Sequence, residues 1–348
     1  MSKSSKLKVG VVGANGYTGE ELCRLLLRHP KLSPELVTSR QHAGKSLVSV
    51  IPSLAGLPGA GELSFTAPSP EGLLDSDAEV FFLSLPHGVA SEFALPLFKA
   101  GKRVIDISAD FRLRDAAIYE EFYAEKHKAP ELLEAAVYSL PEIYREEIKT
   151  ARLLASPGCY PTSILLPLIP LLRGGLLETQ GIFISSASGT SGAGRKANEA
   201  LLFSECNESL RAYGLPKHRH LSEIEQELSF AAGEKNVRVN FVPHLAPMTR
   251  GIHSTIFAKP KTGVSESDLM DAWAENYADE PFVRFGKNLP DTKNISGGNF
   301  CDFSLRVDER TGSVVILSAV DNLVKGAGGQ AVQSLNIQQS WDETEGLL

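Results

Sequence analysis

The 348-residue sequence predicts an α/β protein: a doubly wound, Rossmann-type parallel sheet followed by an α+β region whose sheet is mainly antiparallel. Three observations predict it. Short apolar runs alternate with helical spacing through the first 155 residues or so, the pattern of parallel strands covered on both faces. A glycine-rich turn joins the first strand to the first helix. Beyond about residue 156 strands follow one another with helices set apart, as in α+β folds.

Residues 7–12 form a Val-rich run that reads as a buried strand. Gly13 to Gly19 interrupts it, and residues 20–28 then carry Leu22, Leu25 and Leu26 at helical spacing. Residues 35–39 make a second strand. The stretch 41–79 is rich in Pro, Gly and Ser and has no strong period. Residues 79–83, 103–107 and 152–155 read as further strands, with a helix over 89–100. A helix is expected over 162–172, where Pro167 and Pro170 should kink or end it. A strand at 182–186 precedes helices at about 197–206 and 222–232. The second of these is expected to open on a capping box, Ser222-x-x-Glu225. Strands at 237–242, 251–258, 299–308 and 313–320, a helix at 265–277 and a last helix near 325–337 complete the reading.

Charge and composition narrow the partners. A net charge of -7, with both signs well mixed, gives nucleic acid little electrostatic reason to bind. No apolar run reaches the length that spans a bilayer, and residues 1–8 lack the apolar core of a secretion signal. The expectation is a cytoplasmic protein with no membrane partner. Its four cysteines are widely spaced, which suits free thiols in a reducing compartment. No third ligand accompanies the histidines at metal spacing, so no metal is expected.

Gly13, Gly16 and Gly19 recur every third residue between a strand and a helix. Glycine permits a tight turn and close approach of a pyrophosphate, which the free N–H groups of a helix start attract. Asn15, Tyr17 and Thr18 fill the same loop. The alternative is a tight turn with no ligand. The second strand ends Thr38–Ser39–Arg40, where an NAD enzyme would carry a carboxylate for the ribose hydroxyl. An arginine there suits a 2′-phosphate, so NADP(H) is expected; the alternative is a solvated surface arginine.

Cys159 lies in Pro157–Gly158–Cys159–Tyr160–Pro161–Thr162, at or just before a helix start. That position favours the thiolate and so a nucleophile. Cys23, Cys206 and Cys301 sit in blander contexts and read as small buried apolar groups. A second loop, Ser185 to Lys196, gathers three glycines, five hydroxyls and two cations. Ser186, Ser188, Gly189, Gly192 and Arg195 make it a candidate phosphate cradle, against the alternative of a flexible linker. His218–Arg219–His220 precedes a helix, and a histidine is a suitable acid/base partner for a thiol. Glu223 is placed to orient His220. Ser108 and Arg112 follow a strand at the sheet's carboxyl edge, and the glycine-rich loop Asn322 to Gly329, before the last helix, is expected to close over the cofactor.

Taken in order, the blocks Gly13–Gly19, Ser108–Arg112, Pro157–Thr162, Ser188–Arg195, His218–His220 and Asp321–Ala327 resemble the N-acetyl-γ-glutamyl-phosphate reductase family. The resemblance covers nearly the whole chain. It implies an aspartate-semialdehyde-dehydrogenase-like architecture: residues 1–156 and 323–348 as an NADP-binding Rossmann domain, and 157–322 as a catalytic and oligomerisation domain. It implies Cys159 as nucleophile, His220 as acid/base and Glu223 as its orienting group. Gly13, Asn15, Gly16, Tyr17, Thr18, Gly19, Ser39, Arg40, Ser188, Gly189, Gly192 and Asn322 would then serve the cofactor. Ser108, Arg112, Ser186, Gly189, Arg195 and His218 would serve a small acyl-phosphate substrate. A homodimer or homotetramer is expected. Three competing readings stand beside it: a carrier-protein-linked aminoadipyl-phosphate reductase, an aspartate-semialdehyde dehydrogenase, and a non-catalytic NADP-sensing protein.

Overall fold

The computed structural model describes residues 6–234 and 236–348; the polar residues 1–5 and Lys235 lie outside the described residues. The chain forms two compact units. The first takes the chain up to Pro157 and again from Ala327. Its seven strands are β1 (Leu7–Val12), β2 (Leu32–Thr38), β3 (Phe65–Thr66), β4 (Val80–Leu83), β5 (Arg103–Asp106), β6 (Ala136–Tyr138) and β7 (Leu153–Ala155). They run in the order β3-β2-β1-β4-β5-β7-β6, and every neighbouring pair is parallel.

The sequence alone dictates much of this. Val80, Phe81, Phe82 and Leu83 are wholly buried, as a strand covered on both faces must be. The chain leaves β1 toward β2 and β3, then returns to β4 on the other side of β1. The order therefore reverses between β1 and β4, the place where such sheets bind ligands. The final helix, Gly329–Gln338, returns to this unit and is buried through Ile337. Ser139 Oγ bonds Ser334 Oγ there at 2.6 Å, and Asn336 Oδ1 meets His29 Nε2 at 3.1 Å.

The second unit, Gly158–Gly326, is built on β8 (Ile182–Ser188), β9 (Arg211–Ala212), β10 (Val239–Leu245), β11 (Ile252–Ala258), β12 (Val283–Phe285), β13 (Cys301–Asp308) and β14 (Ser313–Val320). The order is β12-β13-β14-β11-β8-β10-β9. Only β8–β10 and β12–β13 are parallel. The mainly antiparallel α+β expectation is met. β8 alternates buried and exposed residues, so one face of the sheet is covered. On the other face Phe183 and Phe257 are opposed across β8 and β11 and stay 53% and 44% exposed.

The helix Cys159–Arg173 lies on the covered face and passes through Pro167 and Pro170 unbroken, contrary to expectation. Pro170 has no N–H for the Leu166 carbonyl. Tyr277, in the helix Glu266–Tyr277, donates its hydroxyl to that carbonyl at 2.6 Å, and Trp273 Nε1 bonds the Pro167 carbonyl at 2.9 Å. Burial against these partners outweighs the local defect. The expected helix near 197–206 is two short turns, Glu199–Leu201 and Phe203–Cys206, with Phe203 83% exposed. The helices Ala116–Tyr123 and Pro141–Thr150 were not evident in the sequence. Nor were β3, β6, β9 and β12, whose two or three residues carry no readable period.

Candidate active site

The loop Gly13–Gly19 follows β1 and opens the helix Tyr17–Arg28. Each glycine has its own reason. Gly13 holds φ +88, and a Cβ there would lie 2.3 Å from the Ser84 carbonyl oxygen. At Gly19 a Cβ would lie 2.6 Å from the Gly13 carbonyl oxygen, so the helix packs directly on the loop. Gly16, the helix N-cap, has open space where a Cβ would stand, and no side chain caps the helix. Thr38 braces the loop by accepting the Gly13 N–H at its hydroxyl and the Ala14 N–H at its carbonyl. Asn15 and Thr18 are partly buried and Tyr17 is exposed. Open room over an uncapped helix start fits a dinucleotide's pyrophosphate. Arg40 follows β2, is exposed, and has no protein partner among the described residues. Ser39 is 2% exposed, and its hydroxyl accepts the His42 N–H. Ser39 thereby shapes the turn after β2.

Ser108 and Arg112 lie beyond β5 and are buried. Ser108 donates its N–H to Asp106 and accepts the Asp110 N–H. Arg112 donates Nε to the Ser156 carbonyl at 2.8 Å and Nη2 to the Ile107 carbonyl at 3.0 Å. Ser108 thus folds the loop on itself, and Arg112 ties it to the chain leaving β7. Asp106 is wholly buried, and burial together with the neighbouring Asp110 raises its carboxyl to about 7.

Cys159 is the first residue of its helix, with Gly158 as an extended N-cap and no side-chain cap. A helix start stabilises a thiolate. Of the four free cysteines, Cys159 is partly exposed and the others are buried. Burial pushes the Cys23 thiol up to about 12. Gly158 cannot be larger: a Cβ would lie 2.7 Å from both Glu223 Oε1 and His220 Nε2. Gly158 thus admits these two side chains. Glu223, 1% exposed, accepts the Gly158 N–H at Oε2, 3.1 Å, and holds Oε1 3.9 Å from His220 Nε2. One carboxylate thus fixes the loop before the sulfur and the ring beside it. On another side a Cβ at Gly326 would lie 2.8 Å from Cys159 Cβ, a close approach that sequence reasoning missed.

The helix carrying His220 and Glu223 runs His220–Ala232, two residues earlier than expected. Ser222 lies inside it and donates its hydroxyl back to the Arg219 carbonyl. Glu225 accepts the Val239 N–H from β10. The predicted capping box does not form, because Glu225 faces the sheet. His218 Nδ1 accepts the His220 N–H at 3.1 Å instead. Its ring stands edge-on to Tyr160, Tyr213, His220 and Phe241 at centroid distances of 5.0 to 5.6 Å. Burial, with Arg219 adjacent, lowers it to about 4. Tyr160 and Tyr213 share a hydroxyl–hydroxyl bond of 2.9 Å, and burial pushes Tyr213 up to about 12.

The second loop divides in two. Its first half supports the fold. Ser186 is wholly buried, and its hydroxyl bonds Ser254 Oγ at 2.7 Å, which bonds Ser163 Oγ of the Cys159 helix at 2.8 Å. Strand alternation turns Ser186 inward. Ser188 is 2% exposed, and Gly189 packs on the backbone of Thr249 and Arg250. Asn322 accepts the Gly251 N–H and donates to Ser191 Oγ, which braces the second loop. Asp321, wholly buried, pairs with Arg250 and accepts the N–H groups of Gly297, Leu323 and Val324. The second half, Gly192 to Lys196, is exposed and includes Arg195. Among the described residues no cluster of three metal-ligating side chains occurs, and no helix is long and apolar enough to cross a membrane.

Two family descriptions match the chain. "Semialdehyde dehydrogenase, NAD binding domain" covers residues 8–151, and "Semialdehyde dehydrogenase, dimerisation domain" covers 159–322. The chain is 56% identical over 344 residues to an N-acetyl-gamma-glutamyl-phosphate reductase of Akkermansia muciniphila, covering 98% of this chain and 99% of that one. It is 49% identical to the reductase of that name from Geobacter sulfurreducens and 47% to that of Saccharophagus degradans, each covering 98% of both chains. Among solved structures, aspartate semialdehyde dehydrogenase II of Vibrio cholerae, complexed with ASA, has a TM-score of 0.71 at 17% identity, covering 97% of this chain and 99% of that one. Aspartate semialdehyde dehydrogenase of Candida albicans, with NADP, has a TM-score of 0.69 at 16% identity, covering 96% and 99%. These last two share the fold. With half or more of each sequence identical to the Akkermansia protein over almost its full length, the chain belongs to the N-acetyl-γ-glutamyl-phosphate reductase family.

Proposed function

We propose that the protein reduces N-acetyl-L-glutamyl 5-phosphate to N-acetyl-L-glutamate 5-semialdehyde with release of phosphate, through an acyl group carried on Cys159. The observation that carries this reading is the packing of His220 and Glu223 against Gly158 beside a thiol on the first turn of a helix. His220 takes the thiol proton, and Glu223 steadies the resulting imidazolium. The thiolate attacks the acyl carbon; the carbon–sulfur bond forms, and the bond to the phosphate oxygen breaks with its electron pair leaving on phosphate. NADP(H), when bound, supplies the hydride that brings the thioester to the aldehyde level. The His220 imidazolium gives its proton to the thiohemiacetal oxygen, and the neutral ring takes it back as the thiohemiacetal collapses and the carbon–sulfur bond breaks with its electron pair on sulfur. A thiol suits the work, since a thioester accepts hydride far more readily than a carboxylate.

In this reading Gly13, Asn15, Gly16, Tyr17, Thr18 and Gly19 seat the pyrophosphate and Arg40 meets the 2′-phosphate. Arg195 is the phosphate contact, in the exposed half of the second loop. Ser108, Arg112, Ser188, Gly189, Gly192 and Asn322 set the loops around them. The open face with Phe183 and Phe257 joins two copies into a homodimer, which fits the dimerisation domain matched there. Four free thiols fit the cytoplasm.

The test is the reverse reaction: aldehyde oxidation with phosphate and NADP+. N-Acetylglutamate semialdehyde is expected to turn over well ahead of aspartate semialdehyde and of a carrier-linked aminoadipate semialdehyde. Cys159→Ala should lower kcat at least about 10⁴-fold. Activity surviving that substitution removes the covalent route.

A further inference from the structure

The helix that presents His220 and Glu223 starts without a Ser, Thr, Asp or Asn cap. Its N-cap residue, Arg219, makes no capping bond from its side chain. The two first-turn donors are met from one residue upstream. The His218 carbonyl accepts the Leu221 N–H at 2.9 Å, and His218 Nδ1 accepts the His220 N–H at 3.1 Å. A ring nitrogen that accepts carries no proton, so the neutral ring of His218 holds its proton on Nε2. The ring itself is enclosed. Tyr160 from the nucleophile's helix, Tyr213 from the chain after β9 and Phe241 from β10 surround it edge-on. Gly214, at φ +63, leaves only enough room for its Cδ2. The remaining neighbour is His220, whose ring lies 5.0 Å away at 77°.

We propose that His218 is a positioning residue, which caps the helix bearing the acid/base pair through Nδ1 and sets the height and tilt of the His220 ring. It is neither a cation for the phosphate nor a proton carrier. The titratable and charged groups facing it are Tyr160, Tyr213, His220 and Arg219, and none is an anion that would favour a charged ring. This replaces the substrate contact expected from the sequence. It rests on the proposed reaction only in taking His220 as the acid/base.

Two amides separate the roles. In His218→Asn the side-chain oxygen can stand where Nδ1 stands; in His218→Gln the polar group reaches the place of Nε2. The full-length protein is assayed in the reverse direction. His218→Asn is expected to keep kcat within about 3-fold, while His218→Gln and His218→Leu lose about 10- to 100-fold in kcat with KM for aldehyde and phosphate little changed. The acidic limb of kcat/KM, set by His220, should shift in Gln and Leu and stay in Asn. Activity kept by Gln and lost by Asn overturns the proposal, as does a loss confined to KM or no loss in any variant. Two-bond ¹H–¹⁵N spectra of the unsubstituted protein give a readout free of turnover. They should show His218 with an unprotonated Nδ1 and a protonated Nε2 near neutral pH; a protonated Nδ1 overturns it even where variants fail to fold. If the unsubstituted protein turns over no N-acetylglutamate semialdehyde, the reaction is wrong, and the spectra still judge the cap.

Discussion

Two helices of this chain begin in the same way and to opposite ends. The helix Tyr17–Arg28 starts after Gly16, and the helix Cys159–Arg173 starts after Gly158. Both N-cap glycines are extended, at φ -78, ψ 166 and φ -67, ψ 157, and neither helix has a side-chain cap. Over Gly16 there is nothing within 4 Å of a Cβ position; over Gly158 stand His220 and Glu223. One start is left open, the room that the proposed cofactor would fill. The other is completed by the protein, with its field turned on a sulfur. A glycine before a helix therefore says that something approaches closely, not whether that something is foreign.

The largest test of this contrast is Gly158→Ala. Its Cβ must push aside the acid/base pair, so kcat should fall about 10²-fold or more while KM for NADP+ holds. An active Gly158→Ala protein would break the comparison. Arg40→Ala comes next: KM for NADP+ should rise about 10- to 100-fold, the worth of a charge-assisted bond, with kcat and any residual NAD+ activity unchanged. Equal effects on both cofactors would move the 2′-phosphate elsewhere. Gly16→Ala is the smallest. Its backbone angles suit any residue and its Cβ meets no protein atom, so stability should stay within about 0.5 kcal/mol in urea titrations. KM for NADP+ should still rise about 10-fold, because the new methyl stands in the ligand's room. A rise in kcat cost rather than KM would place Gly16 with Gly158.

The sequence made β1, β2, β4, β5 and β7 of the first unit legible because their signals are local. Val80 to Leu83 reads as a buried strand from four residues, and Gly13 to Gly19 declares its turn from seven. Cys159 was legible from Gly158 and Pro161 alone. What escaped depends on residues far away in the chain. Pro167 and Pro170 look like breakers until Tyr277, more than a hundred residues on, is seen to serve the exposed carbonyl. Ser222 and Glu225 have the spacing of a cap, and only β10 shows that Glu225 is already engaged. Ser186 and Asn322 read as polar loop residues, and only the fold shows their partners, Ser254, Gly251 and Ser191.

The Leu166 carbonyl has a further consequence. A regular helix can slide by a turn and find equivalent bonds, since each residue repeats the last. The prolines remove that freedom, and the carbonyl that Pro170 leaves at Leu166 stands at one height, where a single phenol of Tyr277 fills it. The sulfur stands seven residues earlier, about 10 Å along the axis at the α-helical rise. The pin that holds the Cys159 sulfur at its level thus stands well away from that sulfur, and it can be tuned by selection without altering the proposed nucleophile.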